Sequence, residues 1–286
     1  MNTHPSDNTV LTLKNYLSEQ LHSMYDEREC ANIVAALFRE FNGWNRTDIV
    51  INATHKLSEP DILRFQIALK KLLTSEPLQY IIGHTSFCGR KLAVNASVLI
   101  PRPETEELVH HILTQNKNSS PRILDIGTGS GCIAIALKFS LPKAHVEAVD
   151  ISDEALKTAA NNARSCGTEI HFNRMNILTE SLKGNYDIIV SNPPYIPFQE
   201  RNSMHEQVVK FEPSTALFVE DSDPLLFYRR IVRLSRKHLS PSGELWFEIH
   251  ESKRPEMEEW LYEEGDVQWQ FIKDMQGKDR MVKVGF

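Results

Sequence analysis

The residues best suited to chemistry form the segment Asn192-Pro193-Pro194-Tyr195, which follows an apolar run. Two consecutive prolines remove two N–H donors and stiffen the chain, so the carbonyl groups around them stay exposed. The Asn192 side-chain oxygen and the Pro193 carbonyl are then two fixed acceptors, which suit the two coplanar donors of an NH₂ group. The Tyr195 ring is suited to packing against the flat amide or base that carries this group. The segment therefore predicts a site that orients a planar amino group.

Acceptors are useful here because an amide nitrogen is a poor nucleophile, its lone pair being delocalised into the carbonyl. Acceptors on both N–H bonds favour electron density on nitrogen and orient it towards an electrophile. In-line attack on a sulfonium methyl group requires an approach of about 3–3.5 Å, and the same dipoles stabilise the positive charge that develops on nitrogen. This chemistry needs neither a side-chain nucleophile nor a metal, and we predict no metal site. The alternative is a rigid turn without chemistry.

A glycine loop, Gly127-Thr128-Gly129-Ser130-Gly131, lies between a predicted strand and a predicted helix. A dinucleotide fingerprint would place glycine where Cys132 stands, and no Gly-Lys-Ser/Thr follows as in a Walker loop. The pattern favours a ligand without a pyrophosphate. Asp150 ends the next predicted strand, where a carboxylate can accept both hydroxyls of a ribose. The alternative is that Asp150 caps the helix that begins near Ser152. Together, the loop and the acid predict an adenosine-type ligand.

Strands and helices are predicted to alternate after Pro121. The predicted strands are 122–126, 145–149, 186–190 and 244–249, the helices are 132–139 and 153–165, and a closing hairpin joins 271–274 to 281–284. Such alternation is typical of a mostly parallel, doubly wound sheet. Ligands of these sheets bind beyond the carboxyl ends of the strands, so residues 125–131, 150–151, 175–178 and 191–195 are the predicted site.

The part of the chain before Pro121 is predicted to contain helices and one hairpin rather than alternating strands and helices. A helical face is predicted over 26–41, and a second helix begins with Ser58 as N-cap and Pro60 in its first turn, with a buried stripe of Ile62, Phe65, Leu69 and Leu72. A hairpin is predicted around Gly89, followed by a helix over 104–113. We therefore predict a helical domain over 1–83, a hairpin linker over 84–105 and an α/β domain over 106–286.

Composition limits the class of protein. The chain has 286 residues and a formal net charge of −6, which disfavours a protein that coats nucleic acid. No apolar segment reaches the roughly 18 residues of a membrane helix, and the N-terminus lacks the features of an export signal. The four cysteines lie far apart in the sequence. We expect a cytoplasmic protein whose reduced thiols are packed as small apolar groups.

Charged residues beside these motifs receive structural interpretations. Glu104 and Glu106 follow Pro103 in a first helical turn, where the helix dipole stabilises carboxylates. Arg102 is their candidate ion-pair partner. Glu212 is interpreted as a structural bridge that follows the Asn-Pro-Pro-Tyr segment.

The sequence resembles the peptide chain release factor glutamine methyltransferases, the HemK or PrmC family of class I S-adenosylmethionine-dependent methyltransferases. The matching stretches are 76–83, 99–106, 124–131, 149–152, 191–196 and 212–213. The resemblance implies a Rossmann-like, doubly wound, mostly parallel seven-stranded sheet with a C-terminal antiparallel hairpin, plus a small N-terminal helical domain.

The resemblance also implies roles for individual residues. Asn192, Pro193 and Tyr195 would be catalytic, and together with Pro194 they would hold the substrate. The cofactor would contact Gly127, Thr128, Gly129, Ser130, Gly131, Asp150, Asn176, Ile177 and Asn192. At the positions of Asn176 and Ile177, the family often has Asp and an aromatic residue. Here Asn176 can still accept from the adenine amino group, while Ile177 would replace stacking with aliphatic packing. His250 stands where a glycine is common.

By resemblance, the reaction is transfer of a methyl group from S-adenosylmethionine to the N5 amide of the glutamine in the Gly-Gly-Gln loop of class 1 peptide chain release factors. The N-terminal helical part would dock the substrate, and a monomer without nucleic-acid or membrane partners is expected. One alternative is a ribosomal-protein glutamine methyltransferase. Another is a DNA or RNA amino-methyltransferase, which needs base flipping and a phosphate-binding face. A third is a non-enzymatic S-adenosylmethionine-binding module.

Overall fold

The computed structural model describes residues 5–116 and 120–286. The chain divides into two compact units, one that ends at Gly83 and one that runs from His84 to Phe286. Each unit is described by itself. The predicted hairpin linker, 84–105, belongs to the second unit.

The first unit is helical. Its helices are α1 (Val10–Leu21), α2 (Glu27–Asn42), α3 (Arg46–Ile51), α4 (Glu59–Leu72) and α5 (Leu78–Ile82). Side chains of Thr9, Asp26, Asn45 and Ser58 cap the first four by accepting N–H bonds in the first turn. Leu13, Leu17, Phe38, Phe65 and Leu72 are fully buried in its core. The predicted Ser58 cap and the predicted burial of Phe65, Leu69 and Leu72 are confirmed, whereas Ile62 is only half-buried.

The second unit begins with the antiparallel hairpin of β1 (His84–Phe87) and β2 (Arg90–Ala93), as predicted. The remaining helices are α6 (Pro103–Gln115), α7 (Cys132–Ser140), α8 (Asp153–Ser165), α9 (Glu206–Phe211), α10 (Ser214–Leu217), α11 (Leu226–His238) and α12 (Arg254–Glu263). The remaining strands are β3 (Arg122–Ile126), β4 (His145–Asp150), β5 (His171–Arg174), β6 (Tyr186–Ser191), β7 (Ile196–Pro197), β8 (Phe218–Val219), β9 (Leu239–Glu248), β10 (Gln268–Lys273) and β11 (Asp279–Gly285).

Within the described residues, a seven-stranded sheet has the order β10-β11-β9-β6-β3-β4-β5. β3, β4, β5, β6 and β9 pair in parallel, while β11 is antiparallel to both β9 and β10. The predicted fold class is confirmed. The chain passes from β3 to β4 and β5 on one side and then to β6 and β9 on the other. The strand order therefore reverses between β3 and β6, which is where doubly wound sheets bind ligands.

The sheet separates two apolar layers. Alternate residues of β3 and β6 point to opposite faces, so Ile123 and Ile188 pack with α6 and α7 while Leu124 and Ile189 pack with α11 and α12. Both faces are covered, which explains why these strands read as continuous apolar runs.

The cysteine prediction is partly wrong. All four thiols are free, and Cys30 and Cys132 are buried, but Cys88 is exposed because it lies in the turn of the β1–β2 hairpin. Across residues 5–116 and 120–286, no helix is long and apolar enough to cross a membrane. The same residues contain no cluster of His, Cys, Asp and Glu that could hold a metal ion.

Candidate active site

A cavity of about 340 Å³ opens at the carboxyl ends of the parallel strands. The segments that follow β3, β4, β5 and β6 all contribute to its wall. Most of the predicted site residues line it: Gly127, Thr128, Gly129, Ser130, Asp150, Asn176, Ile177, Asn192, Pro193 and Pro194. Gly131 and Tyr195 are not part of the lining.

The glycine loop is fixed to the end of β4. The N–H groups of Gly127 and Thr128 both donate to the Val149 carbonyl, at 2.9 and 3.0 Å. Gly127 and Gly129 have φ values of +73° and +55°, and a Cβ at either position would meet no described atom within 4 Å. These two glycines therefore leave open space in which a ligand can approach the backbone closely.

Gly131, unlike Gly127 and Gly129, has no open space at its Cβ position. It precedes α7 with a φ of +81°, and a Cβ there would lie 3.1 Å from the Ala159 Cβ and 3.2 Å from the Ile135 Cδ1. This glycine allows α7 to pack closely against α8.

Asp150 holds the loop in place. Its Oδ2 accepts from the Gly129 N–H and its Oδ1 from the Ser152 N–H, both at 2.9 Å. Ser152, rather than Asp150, caps α8 by accepting from the Ala155 N–H. Each carboxylate oxygen keeps a further lone pair, so Asp150 can still accept hydroxyl groups of a ligand in the cavity.

Asp125 begins the predicted site range 125–131, but it lies under the loop and is not part of the cavity lining. Its Oδ2 accepts from the Thr128 hydroxyl at 2.6 Å and from the Ala134 N–H at 3.2 Å. Its Oδ1 is buried with no hydrogen-bond partner among the described residues. Burial raises the pKa of this carboxyl to about 7, because the charged form is poorly solvated.

The wall beyond β5 is largely apolar. Ile177 is buried, and its carbonyl accepts from the Arg230 Nε at 2.9 Å. The Asn176 Oδ1 accepts from the Leu178 N–H at 3.0 Å, which fixes this side chain at the cavity. Phe227, which sequence reasoning missed, also lines the cavity.

The Asn-Pro-Pro-Tyr segment follows the end of β6, where the Ser191 hydroxyl donates to the Ile126 carbonyl at 2.7 Å. The Asn192 Nδ2 donates to the Thr105 hydroxyl oxygen at 3.4 Å. The Tyr195 hydroxyl donates to the Glu248 Oε1 at 3.3 Å. Burial raises the Tyr195 pKa well above its ordinary range, so the phenol stays a donor.

Glu248 also lies beside the site, and sequence reasoning assigned it no role. It ends β9, the parallel strand beside β6, and is only 2% exposed. Its Oε2 accepts from the Thr105 hydroxyl at 2.6 Å. Burial raises the pKa of Glu248, and its hydrogen bonds and the Arg280 charge oppose this shift. A charged residue at the carboxyl end of an apolar strand was the available signal.

An ion pair connects two walls of the cavity. Arg102 was expected to pair with Glu104 or Glu106, but its Nη2 lies 2.6 Å from the Glu212 Oε1. The Glu212 side chain is 2% exposed and also accepts from the Ile100 N–H. Glu106 instead accepts from the Cys88 N–H at 2.6 Å. The chain after α9 and the chain before α6 are thereby held together.

Three features show what the cavity can hold. The open glycines offer backbone contact, Asp150 offers acceptors, and Ile177 and Phe227 offer an apolar surface. A nucleoside with a polar ribose and a flat base fits this combination. Asn192 and Pro193 line the same cavity, and the Asn192 side-chain oxygen and the Pro193 carbonyl are hydrogen-bond acceptors by their chemistry.

Comparison with known proteins indicates the class of protein to which this chain belongs. Residues 103–212 match the Methyltransferase small domain family and residues 13–83 match the PrmC N-terminal domain family. The fold resembles the hMettl16 catalytic domain in complex with MAT2A 3'UTR hairpin 1, with a TM-score of 0.54 and 17% identity over 89% of both chains. It also resembles a methyltransferase from Pyrococcus furiosus, with a TM-score of 0.51 and 18% identity over 68% of this chain and 88% of that one. The fold is thus the Rossmann-like fold of these proteins, and the family model that matches residues 103–212 is that of a methyltransferase domain.

Two relatives narrow this class. The release factor glutamine methyltransferase of Flavobacterium psychrophilum is 44% identical over 96% of this chain and all of its own length. The protein of the same name from Bacteroides thetaiotaomicron is 40% identical over 93% of this chain and 96% of its own. The chain belongs to the release factor glutamine methyltransferase family, as the sequence motifs predicted.

Proposed function

We propose that this protein transfers a methyl group from S-adenosylmethionine to the N5 side-chain amide of a glutamine. Its substrate would be the glutamine of the Gly-Gly-Gln loop in class 1 peptide chain release factors. The observation that carries the proposal is that Asn192 and Pro193 line the same cavity as the glycine loop and Asp150. The names of the two relatives support the choice of substrate.

The residues of one part of the cavity would hold the cofactor. The backbone of Gly127 and Gly129 and the Asp150 carboxylate would bind its amino-acid and ribose parts, with Asn176 and Ile177 beside its base. When bound, S-adenosylmethionine supplies a methyl group on a positively charged sulfur, which makes that carbon an electrophile. The loop needs no rearrangement to expose its backbone, because Gly127 and Gly129 already leave open space.

Asn192 and Pro193 would act on the acceptor substrate. The Asn192 Oδ1 and the Pro193 carbonyl would accept the two N–H bonds of the glutamine amide and hold its nitrogen in line for attack. Fixing the geometry in this way supplies several kcal/mol of catalysis. The same two dipoles stabilise the positive charge that develops on nitrogen. Tyr195 would support this corner through its hydrogen bond to Glu248.

The N-terminal helical unit would provide docking contacts for the release factor. Its helices α3 and α4 expose Val50, Ile51, Leu63 and Ile67, and exposed apolar side chains are suited to protein contacts. Binding energy from contacts remote from the chemistry can then select one glutamine-bearing loop. The net charge of −6 favours a protein partner over a nucleic acid.

The test uses the full chain and methyl-labelled S-adenosylmethionine. The acceptors are a purified class 1 release factor, the same factor with the loop glutamine changed to Ala, a ribosomal protein fraction and duplex DNA. We expect label on the unaltered release factor alone, and peptide mass spectrometry should place one methyl group on the loop glutamine. Label on ribosomal protein or on DNA, with none on the release factor, would overturn the proposal.

A further inference from the structure

The orientation of the Asn192 carboxamide matters for the proposed reaction. The two ends of an Asn side chain have almost the same shape but opposite hydrogen-bonding character. If Oδ1 faces the cavity, the side chain accepts a substrate N–H. If Nδ2 faces it, a donor meets a donor. Something in the protein must therefore distinguish the two orientations.

Thr105 is the neighbour that can do so. It lies in the first turn of α6, lines the cavity, and its oxygen is 3.4 Å from the Asn192 Nδ2. A threonine hydroxyl has one proton and can act as a donor or as an acceptor. Alone, Thr105 would tolerate either orientation of the carboxamide.

Glu248 removes this freedom. The Thr105 hydroxyl donates its proton to the Glu248 Oε2 at 2.6 Å, a length typical of a strong hydroxyl–carboxylate bond. With its proton engaged, the Thr105 oxygen offers only lone pairs to Asn192. Nδ2 must then face Thr105, which leaves Oδ1 for the substrate.

The second oxygen of Glu248 is also held. The Tyr195 hydroxyl donates to Oε1 at 3.3 Å, and Glu248 as a residue is 2% exposed. With donors on both sides and little access for water, Glu248 has one stable position between α6 and the Asn-Pro-Pro-Tyr segment.

We propose that Glu248 and Thr105 are positioning residues that fix the Asn192 carboxamide with its oxygen towards the substrate amide. The proposal rests on the function proposed above for Asn192. Neither residue touches the reacting atoms. Thr105 acts through its hydrogen bond to Asn192, and Glu248 acts through its hydrogen bond to Thr105.

The first test compares four proteins: wild type, Thr105→Val, Thr105→Ser and Thr114→Val. Thr114 is an exposed threonine of the same helix and serves as the matched control. Removing one hydrogen bond corresponds to on the order of a 10-fold effect. We expect Thr105→Val to lower kcat about 10-fold while the cofactor Kd changes less than about 2-fold. Thr105→Ser should restore most of the rate because it keeps the hydroxyl, and Thr114→Val should match wild type.

A second measurement does not depend on activity. In protein with ¹⁵N-labelled asparagine, the Asn192 side-chain signal is assigned by its loss in Asn192→Ala. We expect this signal to move in Thr105→Val and in Glu248→Gln, and to stay in place in Thr114→Val. The shift in Glu248→Gln is the informative one, because the Glu248 carboxylate bonds to the Thr105 and Tyr195 hydroxyl groups and reaches Asn192 through the Thr105 hydroxyl.

The inference is overturned if the Asn192 signal is unchanged in both variants, or if Thr105→Ser is as slow as Thr105→Val. Rates are measured on whichever acceptor the wild type labels. Label on another acceptor would therefore refute the proposed substrate while the positioning role is still decided. The NMR measurement decides it even when no acceptor is labelled.

Discussion

The buried carboxyl of Asp125 should make the stability of the second unit depend on pH. Its pKa is raised from 3.8 to about 7 by burial, so the folded chain binds the proton more tightly than the unfolded chain. An acid of this kind stabilises the fold fully below the unfolded pKa, and that contribution is lost as the pH rises from about 4 to about 7. Linkage over pH 5 to 8 gives a loss of about 2–3 kcal/mol of unfolding free energy.

The perturbation that isolates this effect is Asp125→Asn. The Asn oxygen can take the place of Oδ2, which accepts from Thr128 and Ala134, and the side chain cannot ionise. We expect wild type to lose about 2–3 kcal/mol relative to the variant between pH 5 and 8.

The assay is urea unfolding at several pH values in that range, followed by tryptophan fluorescence. A Trp44→Phe background leaves Trp246, Trp260 and Trp269, all in the second unit, as reporters. Other titrating groups contribute equally to both proteins and cancel in the comparison. Parallel stability curves for wild type and Asp125→Asn would mean that the Asp125 carboxyl does not titrate over this range in the folded chain.

Two further predictions concern the glycine loop and Asp150. Gly131→Ala should lower the unfolding free energy by about 2–4 kcal/mol. The new Cβ would stand on a backbone with a φ of +81°, which is strained for alanine, and would lie only 3.1 Å from the Ala159 Cβ. Gly129→Ala has open space at its Cβ and should cost only about 1 kcal/mol; equal costs in urea titrations would contradict the packing role of Gly131. Asp150→Ala should raise the cofactor Kd at least about 10-fold, because it removes acceptors and releases the Gly129 N–H, and an unchanged Kd in calorimetry would mean that Asp150 serves only the loop.

Much of the fold follows from local patterns in the sequence. The apolar runs of β3, β4 and β6 and the helical period of α8 were readable because both faces of the sheet are covered. The Ser58 cap and the hairpin at Gly89 follow from side-chain and turn chemistry that acts over a few residues. The short edge strand β5 carries little apolar signal, since three of its four residues are exposed. The chain from 196 to 225 forms only short elements, and their positions depend on distant contacts such as Arg102–Glu212.

The residues of the site also fall into those that local sequence patterns reveal and those that only the fold brings together. The glycine loop, Asp150 and the Asn-Pro-Pro-Tyr segment could be named because each is contiguous and lies at a strand end. The Thr105–Glu248 hydrogen bond joins residues 143 positions apart, so local patterns did not reveal it. Gly131 was grouped with the cofactor contacts by its place in the motif, although its surroundings give it a packing role. Arg102 has acidic neighbours in sequence, but the fold brings the buried Glu212 closer.

In the proposed function, Asn192 and Pro193 orient a carboxamide nitrogen for methyl transfer. The decisive experiment measures, for Asn192→Ala and wild type, both the transfer rate to release factor and the cofactor Kd. We expect the rate to fall at least about 100-fold, as for loss of a preorganised hydrogen-bonding group, while the Kd stays within about 3-fold. An unchanged rate, or a loss of cofactor affinity that matches the loss of rate, would contradict this role.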